Sequence, residues 1–127
     1  MIMRMAGLVA LTALAFTAAE AAAKTTYLSC SRTNGSDGRL REKFSLNESD
    51  RSGTHSIPET GLSSGRLPAD FGQDVVQLMD VGDMTTDAYF INRTNLSYTL
   101  VRVIGDYPPD TDKGKCVVAA PPAGRKF

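Results

Sequence analysis

The sequence predicts an all-β protein: a small antiparallel sheet of about six strands, curled into a barrel or sandwich, with its terminal strands joined by a disulfide. Three observations carry this expectation. Apolar residues recur mainly at alternate positions, the period of a half-buried strand. Clusters of Gly, Asn, Asp, Ser and Pro interrupt those runs at short intervals. The two cysteines of the chain, Cys30 and Cys116, fall in the first and last strand-like runs.

The elements follow in order. Tyr27-Leu28-Ser29-Cys30 is a short first strand, and Ser31 to Gly38 is a turn cluster. Leu40, Glu42, Phe44 and Leu46 then oppose Arg41, Lys43 and Ser45, giving a half-buried strand with a charged outer side. Asn47 to Gly53 is polar and reads as a turn, and Thr54 to Ile57 is a short strand stopped by Pro58. Gly61 to Gly72 is the least regular stretch. Phe71, Val75, Leu78 and Met79 fit a helical face, but Gly72 and the adjacent valines favour a strand over Asp74 to Asp80. Ala88 to Ile91, the turn Asn92 to Asn95 and the return from Leu96 to Ile104 form the strongest hairpin signal. Gly105 to Gly114 reads as a Pro/Asp-rich loop, followed by a last strand at Cys116-Val117-Val118. A single β-rich domain is therefore expected over residues 24–120, with a flexible tail over 121–127.

Residues 1–23 read as a cleaved export signal. Arg4 supplies a positive start, Met5 to Ala19 is apolar, and both Ala19-Glu20-Ala21 and Ala21-Ala22-Ala23 fit a small-x-small cleavage site. The Ala-rich signal points to a bacterial protein that is periplasmic or secreted, with no stable membrane insertion after cleavage. An oxidising compartment makes one Cys30–Cys116 disulfide the simplest use of the thiols. The alternative, lipidation of Cys30, is disfavoured by Tyr27 and Lys24 just upstream. Lys plus Arg and Asp plus Glu each number 14, so the chain is formally neutral. Interspersed signs give no electrostatic reason to expect nucleic acid as partner.

No motif carries a convincing catalytic set. Gly61-Leu62-Ser63-Ser64-Gly65 has the letters of a nucleophile elbow, but the one histidine, His55, precedes the serine and the chain is short. His55 reads as a surface or strand-end residue, and a single imidazole without free thiols does not make a zinc site. Asp80, Asp83 and Asp87 form one acidic cluster and Asp106, Asp110 and Asp112 another. Asp110 to Gly114 lacks the distal glutamate of a calcium loop, so neither metal nor cofactor is expected. The sequons at Asn34, Asn47, Asn92 and Asn95 are accounted for by turn composition. Tyr89, Tyr98 and Tyr107 are the candidate ligand-binding residues, because tyrosine joins contact area to a polar tip.

In size, export and disulfide content the chain is similar to small bacterial inhibitors of lysozyme. Those proteins carry a Ser-Gly-x-x-Tyr loop, whereas Ser52-Gly53-Thr54-His55-Ser56 and Ser64-Gly65-Arg66-Leu67-Pro68 both lack the tyrosine. No site residue is transferred on that likeness. The function expected is a small non-enzymatic binding module for a protein or glycan of the cell envelope. A small Asp-dependent hydrolase, in which a carboxylate and His55 converge in a cleft, and a structural envelope component are the alternatives.

Overall fold

The computed structural model describes residues 25–33 and 39–121. The export signal and all but Pro121 of the expected tail lie outside the described residues. The elements are β1 (Thr26–Thr33), β2 (Arg39–Asn47), β3 (Ser52–Ile57), β4 (Leu62–Ser63), β5 (Leu67–Phe71), β6 (Val75–Val81), β7 (Thr85–Asn92), β8 (Ser97–Ile104) and β9 (Asp110–Ala119). All pairings are antiparallel, in the order β2-β1-β9-β8-β7-β6-β5-β3-β4, and β2 also pairs with β3. That extra pairing closes eight strands into a barrel, and β4 is a short flap on β3. Closure removes the open edges on which another chain could add a strand.

Among the described residues the strands number nine rather than about six; β4 and β5 arise in the irregular stretch, and β1 and β9 are longer than expected where pairing overrules local turn chemistry. Ser31 to Thr33, expected in a turn, continue β1 because Arg41, Leu40 and Arg39 offer partners across the strand. Asp110 to Gly114, expected in a loop, pair with Arg102 to Tyr98. In the irregular stretch, β5 forms because Leu67 and Ala69 bury into the core while Pro68 and Asp70 face outwards. The contested segment is a strand: in β6, Val76 and Leu78 are buried, and Val75, Gln77 and Met79 take the other face.

Inward positions alternate around the ring. Leu28, Phe44, Leu46, Val76, Leu78, Ile91 and Leu100 form the apolar core with Tyr89, Tyr98 and the Cys30–Cys116 disulfide. The cystine is a direct cross-strand pair of β1 and β9, so the first and last strands are covalently joined inside the barrel. Gly114 lies opposite both Arg32 and Tyr98. A Cβ there would collide with the Ser31 carbonyl oxygen and sit 2.9 Å from Arg32 Cβ. Gly114→Ala is therefore expected to lower the unfolding free energy by about 1–3 kcal/mol, measured by urea denaturation. An unchanged midpoint would show that β1 and β9 can part at this point without loss.

Candidate functional site

The interior contains a polar centre. Glu42 alternates with Phe44 and Leu46 on the inner face of β2 and has 0% exposure. Its carboxylate accepts from Arg32 Nε at 2.8 Å, pairs with His55 Nε2 at 2.7 Å, and accepts from the Tyr98 hydroxyl at 3.0 Å on each oxygen. Arg32 Nη1 also donates to Asp112 Oδ2 at 2.6 Å. Because the carboxylate is an acceptor, His55 presents Nε2–H to it, and the Tyr89 hydroxyl stands 3.4 Å from His55 Nδ1. Phe44 packs against His55, Tyr89 and Tyr98, with ring centroids 4.9, 5.4 and 5.4 Å away.

Burial pushes the Tyr98 hydroxyl far above its ordinary range, and the adjacent Glu42 charge pushes the same way. Tyr89 is likewise raised, by burial first and then by Asp87 and Glu42. Both phenols therefore serve as neutral donors. Burial works against the Arg32 cation, but Glu42 and then Asp112 more than offset it, so its pKa is raised.

Glu42 and His55 have the separation of a general acid–base pair, but Phe44 and the stacked Tyr89 ring enclose the imidazole. Among the described residues, no buried side-chain nitrogen or oxygen lacks a hydrogen-bond partner. The pair is saturated by its neighbours and presents no cleft to a substrate. Its physical role is to cross-link β1, β2, β3, β8 and β9 from within.

The residues singled out by sequence are scattered. Tyr89 and Tyr98 are 3% and 1% exposed and turn inwards, so they offer no surface to a partner; Tyr107 is 73% exposed in the β8–β9 loop. His55, expected at the surface or a strand end, is instead 3% exposed at the polar centre. The two acidic clusters do converge on one end of the barrel. There Asp80 lies opposite Asp87, Asp87 forms a bidentate pair with Arg102 at 2.8 and 3.0 Å, and Asp112 holds Arg32. Among the described residues, no group of three His, Cys, Asp or Glu side chains is placed to hold a metal. Ser64 is a positioning element: its hydroxyl accepts from His55 N–H at 3.0 Å and fastens the β4 flap.

The opposite end of the barrel is an apolar mouth. A cavity of about 250 Å³ opens there, lined by Leu28, Leu46, Phe71, Val76, Ile91 and Leu96. Three turns frame it, and Asx chemistry shapes two of them. Asn47 Oδ1 accepts from Ser49 N–H and Asp50 N–H, while Asn92 Oδ1 accepts from Thr94 N–H and Asn95 N–H. Leu96 closes the second turn with φ at 60°, a left-handed conformation that a leucine adopts at some expense. Its side chain thereby packs against the core at the rim. Arg93 straps the three turns together. It donates to Gly72 O at 2.8 Å and Glu48 Oε1 at 3.0 Å, and its guanidinium lies 5.9 Å from the centre of the Phe71 ring.

No protein-family model, curated protein or solved structure matches the chain.

The mouth was not legible as a unit, since its lining comes from eight separate strands and turns. The polar centre left one signal, Glu42 on the apolar side of its strand. Arg32, its main partner, lay hidden in a stretch with turn composition.

Proposed function

We propose that this protein is a small exported, non-enzymatic binding module whose barrel mouth receives a protruding apolar side chain of a protein partner. One observation carries the proposal: a preformed apolar hollow at the end of a closed barrel, rimmed by the Arg93–Glu48 pair. Barrel mouths are common ligand sites. At about 250 Å³ the hollow is smaller than the pockets that hold drug-sized molecules, and its size suits a single Leu- or Phe-like group. Arg93 and Glu48 supply a polar rim that can orient a peptide backbone around such an anchor. The compartment rests on the signal-like residues 1–23 and on the disulfide, which suits an oxidising environment.

Titration with N-acetylphenylalanine amide, followed by methyl NMR, tests the site. Saturable shifts are expected at Leu28, Leu46, Ile91 and Leu96; Thr26 of β1 also lines the hollow, so Thr26→Trp should abolish them by filling it. Shifts scattered over the surface, or shifts that survive Thr26→Trp, would overturn the proposal.

A further inference from the structure

The outer face of β2, β1 and β9 concentrates positive charge that the neutral composition conceals. On β1 the outward row is Tyr27, Ser29, Ser31 and Thr33, the complement of the buried Leu28, Cys30 and Arg32. Register places Lys43, Arg41 and Arg39 of β2 beside Ser29, Ser31 and Thr33. On the other side Lys115 of β9 stands beside Ser31, with Lys113 two residues further along the same face. The five cationic residues are exposed, whereas Ser29 and Ser31 between them are half-buried. The acids of these strands do not share this face: Glu42 and Asp112 are turned to the barrel interior, and Asp110 lies on their side of the sheet. Among the described residues, none of the five cations makes an ion pair.

Short hydroxyl side chains make a gutter between the cationic row of β2 and the outward row of β9, where Lys113 and Lys115 give way to Val117 beside Ser29. Strand geometry gives it a floor of roughly 20 Å and walls roughly 10 Å apart. Hollows lie along it at both ends. One of about 350 Å³ is lined by Tyr27, Lys43, Ser45, Thr54 and Ser56 together with the apolar Leu28, Phe44, Ala119 and Ala120. The other, of about 150 Å³, is lined by Ser31, Thr33, Arg39, Lys113 and Lys115.

We infer that this gutter binds a linear anionic polysaccharide, with the cations on its carboxylate or sulfate groups and the hydroxyl floor on its ring hydroxyls. The shape selects this partner over other polyanions. Single-stranded nucleic acid requires aromatic stacking platforms, and among the described residues this face offers Tyr27 alone. A bilayer would meet the tips of the cations and leave the recessed hydroxyl row unused. The gutter is the outward face of β1, β2 and β9, whereas these strands give the apolar mouth Leu28, Leu46 and Val118 from their inward rows, so the two sites stand or fall separately.

The test is NMR titration of the disulfide-bonded protein at low salt with heparin and polygalacturonate oligosaccharides. An oligothymidylate and phosphatidylglycerol vesicles serve as competing polyanions. Saturable shifts are expected on β1, β2 and β9 with at least one polysaccharide. The double variant Arg41→Glu, Lys115→Glu should weaken that binding by about tenfold or more, because opposed charges replace two attractive ones. Ser31→Val should weaken it several-fold while leaving every charge in place. Thermal unfolding of each variant separates loss of the site from loss of the fold, and the wild-type shift map stands independently of both. The inference is overturned by absence of polysaccharide binding, by shifts outside the three strands, by a folded double variant that binds unchanged, or by oligothymidylate or vesicles binding as tightly.

Discussion

Glu42→Ala is expected to destabilise the protein by about 3–5 kcal/mol, a large fraction of the roughly 5–15 kcal/mol that holds a domain of this size together. The substitution removes the acceptor for Arg32, His55 and Tyr98 at once. Arg32 is only 7% exposed, so its cation would remain in the interior with Asp112 as its one carboxylate. The loss therefore comes chiefly from stranding buried donors, and the net value of the intact cluster is smaller. Two further variants separate these effects. Glu42→Gln keeps an acceptor oxygen and the side-chain volume, and it should lose less than Glu42→Ala. Arg32→Met combined with Glu42→Met removes both charges and should recover much of the loss, because an apolar pair can replace a buried ion pair at little net expense. Urea unfolding followed by circular dichroism reads all three. A loss below about 1 kcal/mol for Glu42→Ala would mean that water reaches Arg32 and that the polar centre does not anchor the fold.

Reduction of the Cys30–Cys116 disulfide, or its replacement by serines, is expected to remove about 4–5 kcal/mol, from the loop-closure entropy of a crosslink spanning 86 positions. The crosslink joins the chain near both ends of the barrel, so it restricts nearly the whole unfolded chain. It also pins the β1–β9 seam, across which Arg32 reaches Asp112. Denaturation of the oxidised and the reduced, alkylated protein gives the difference directly. Equal midpoints would show that the barrel closes through its hydrogen-bonded seams without covalent help. Cys30 is the cross-strand neighbour of Glu42. Losses from the two sites are therefore expected to be non-additive when combined, a coupling that a double-mutant cycle measures.

Much of the β architecture could be read from the chain because its signals are local. Alternation in Leu40 to Leu46 specifies a strand and its inner face, and Asn92 to Asn95 specifies a turn. The hairpin from Ala88 to Ile104 follows from the same short-range patterns, and the disulfide between the terminal strands from the placement of the two cysteines and the expected oxidising compartment. Strand ends were less legible. Ser31 to Thr33 and Asp110 to Gly114 have turn composition, yet distant partners draw them into the sheet. Tyr89 and Tyr98 could not be told from Tyr107 as buried or exposed, because a tyrosine suits either side of a strand. Closure of the ring turns the first two inwards, where Glu42 and His55 occupy their hydroxyls.

The period of two along each strand, the turn residues and the paired cysteines thus specify an antiparallel, disulfide-joined β protein from sequence alone. The surfaces that could meet a ligand depend on contacts the sequence order does not display. Arg32 and Asp112, 80 positions apart, meet because β1 and β9 pair. The same pairing turns dispersed basic residues of a neutral chain into one cationic face, and ring closure gathers Leu28, Leu46, Phe71 and Ile91 around one mouth. Alternation sorts side chains between two faces of a strand; strand register and closure then determine which of those faces become neighbours.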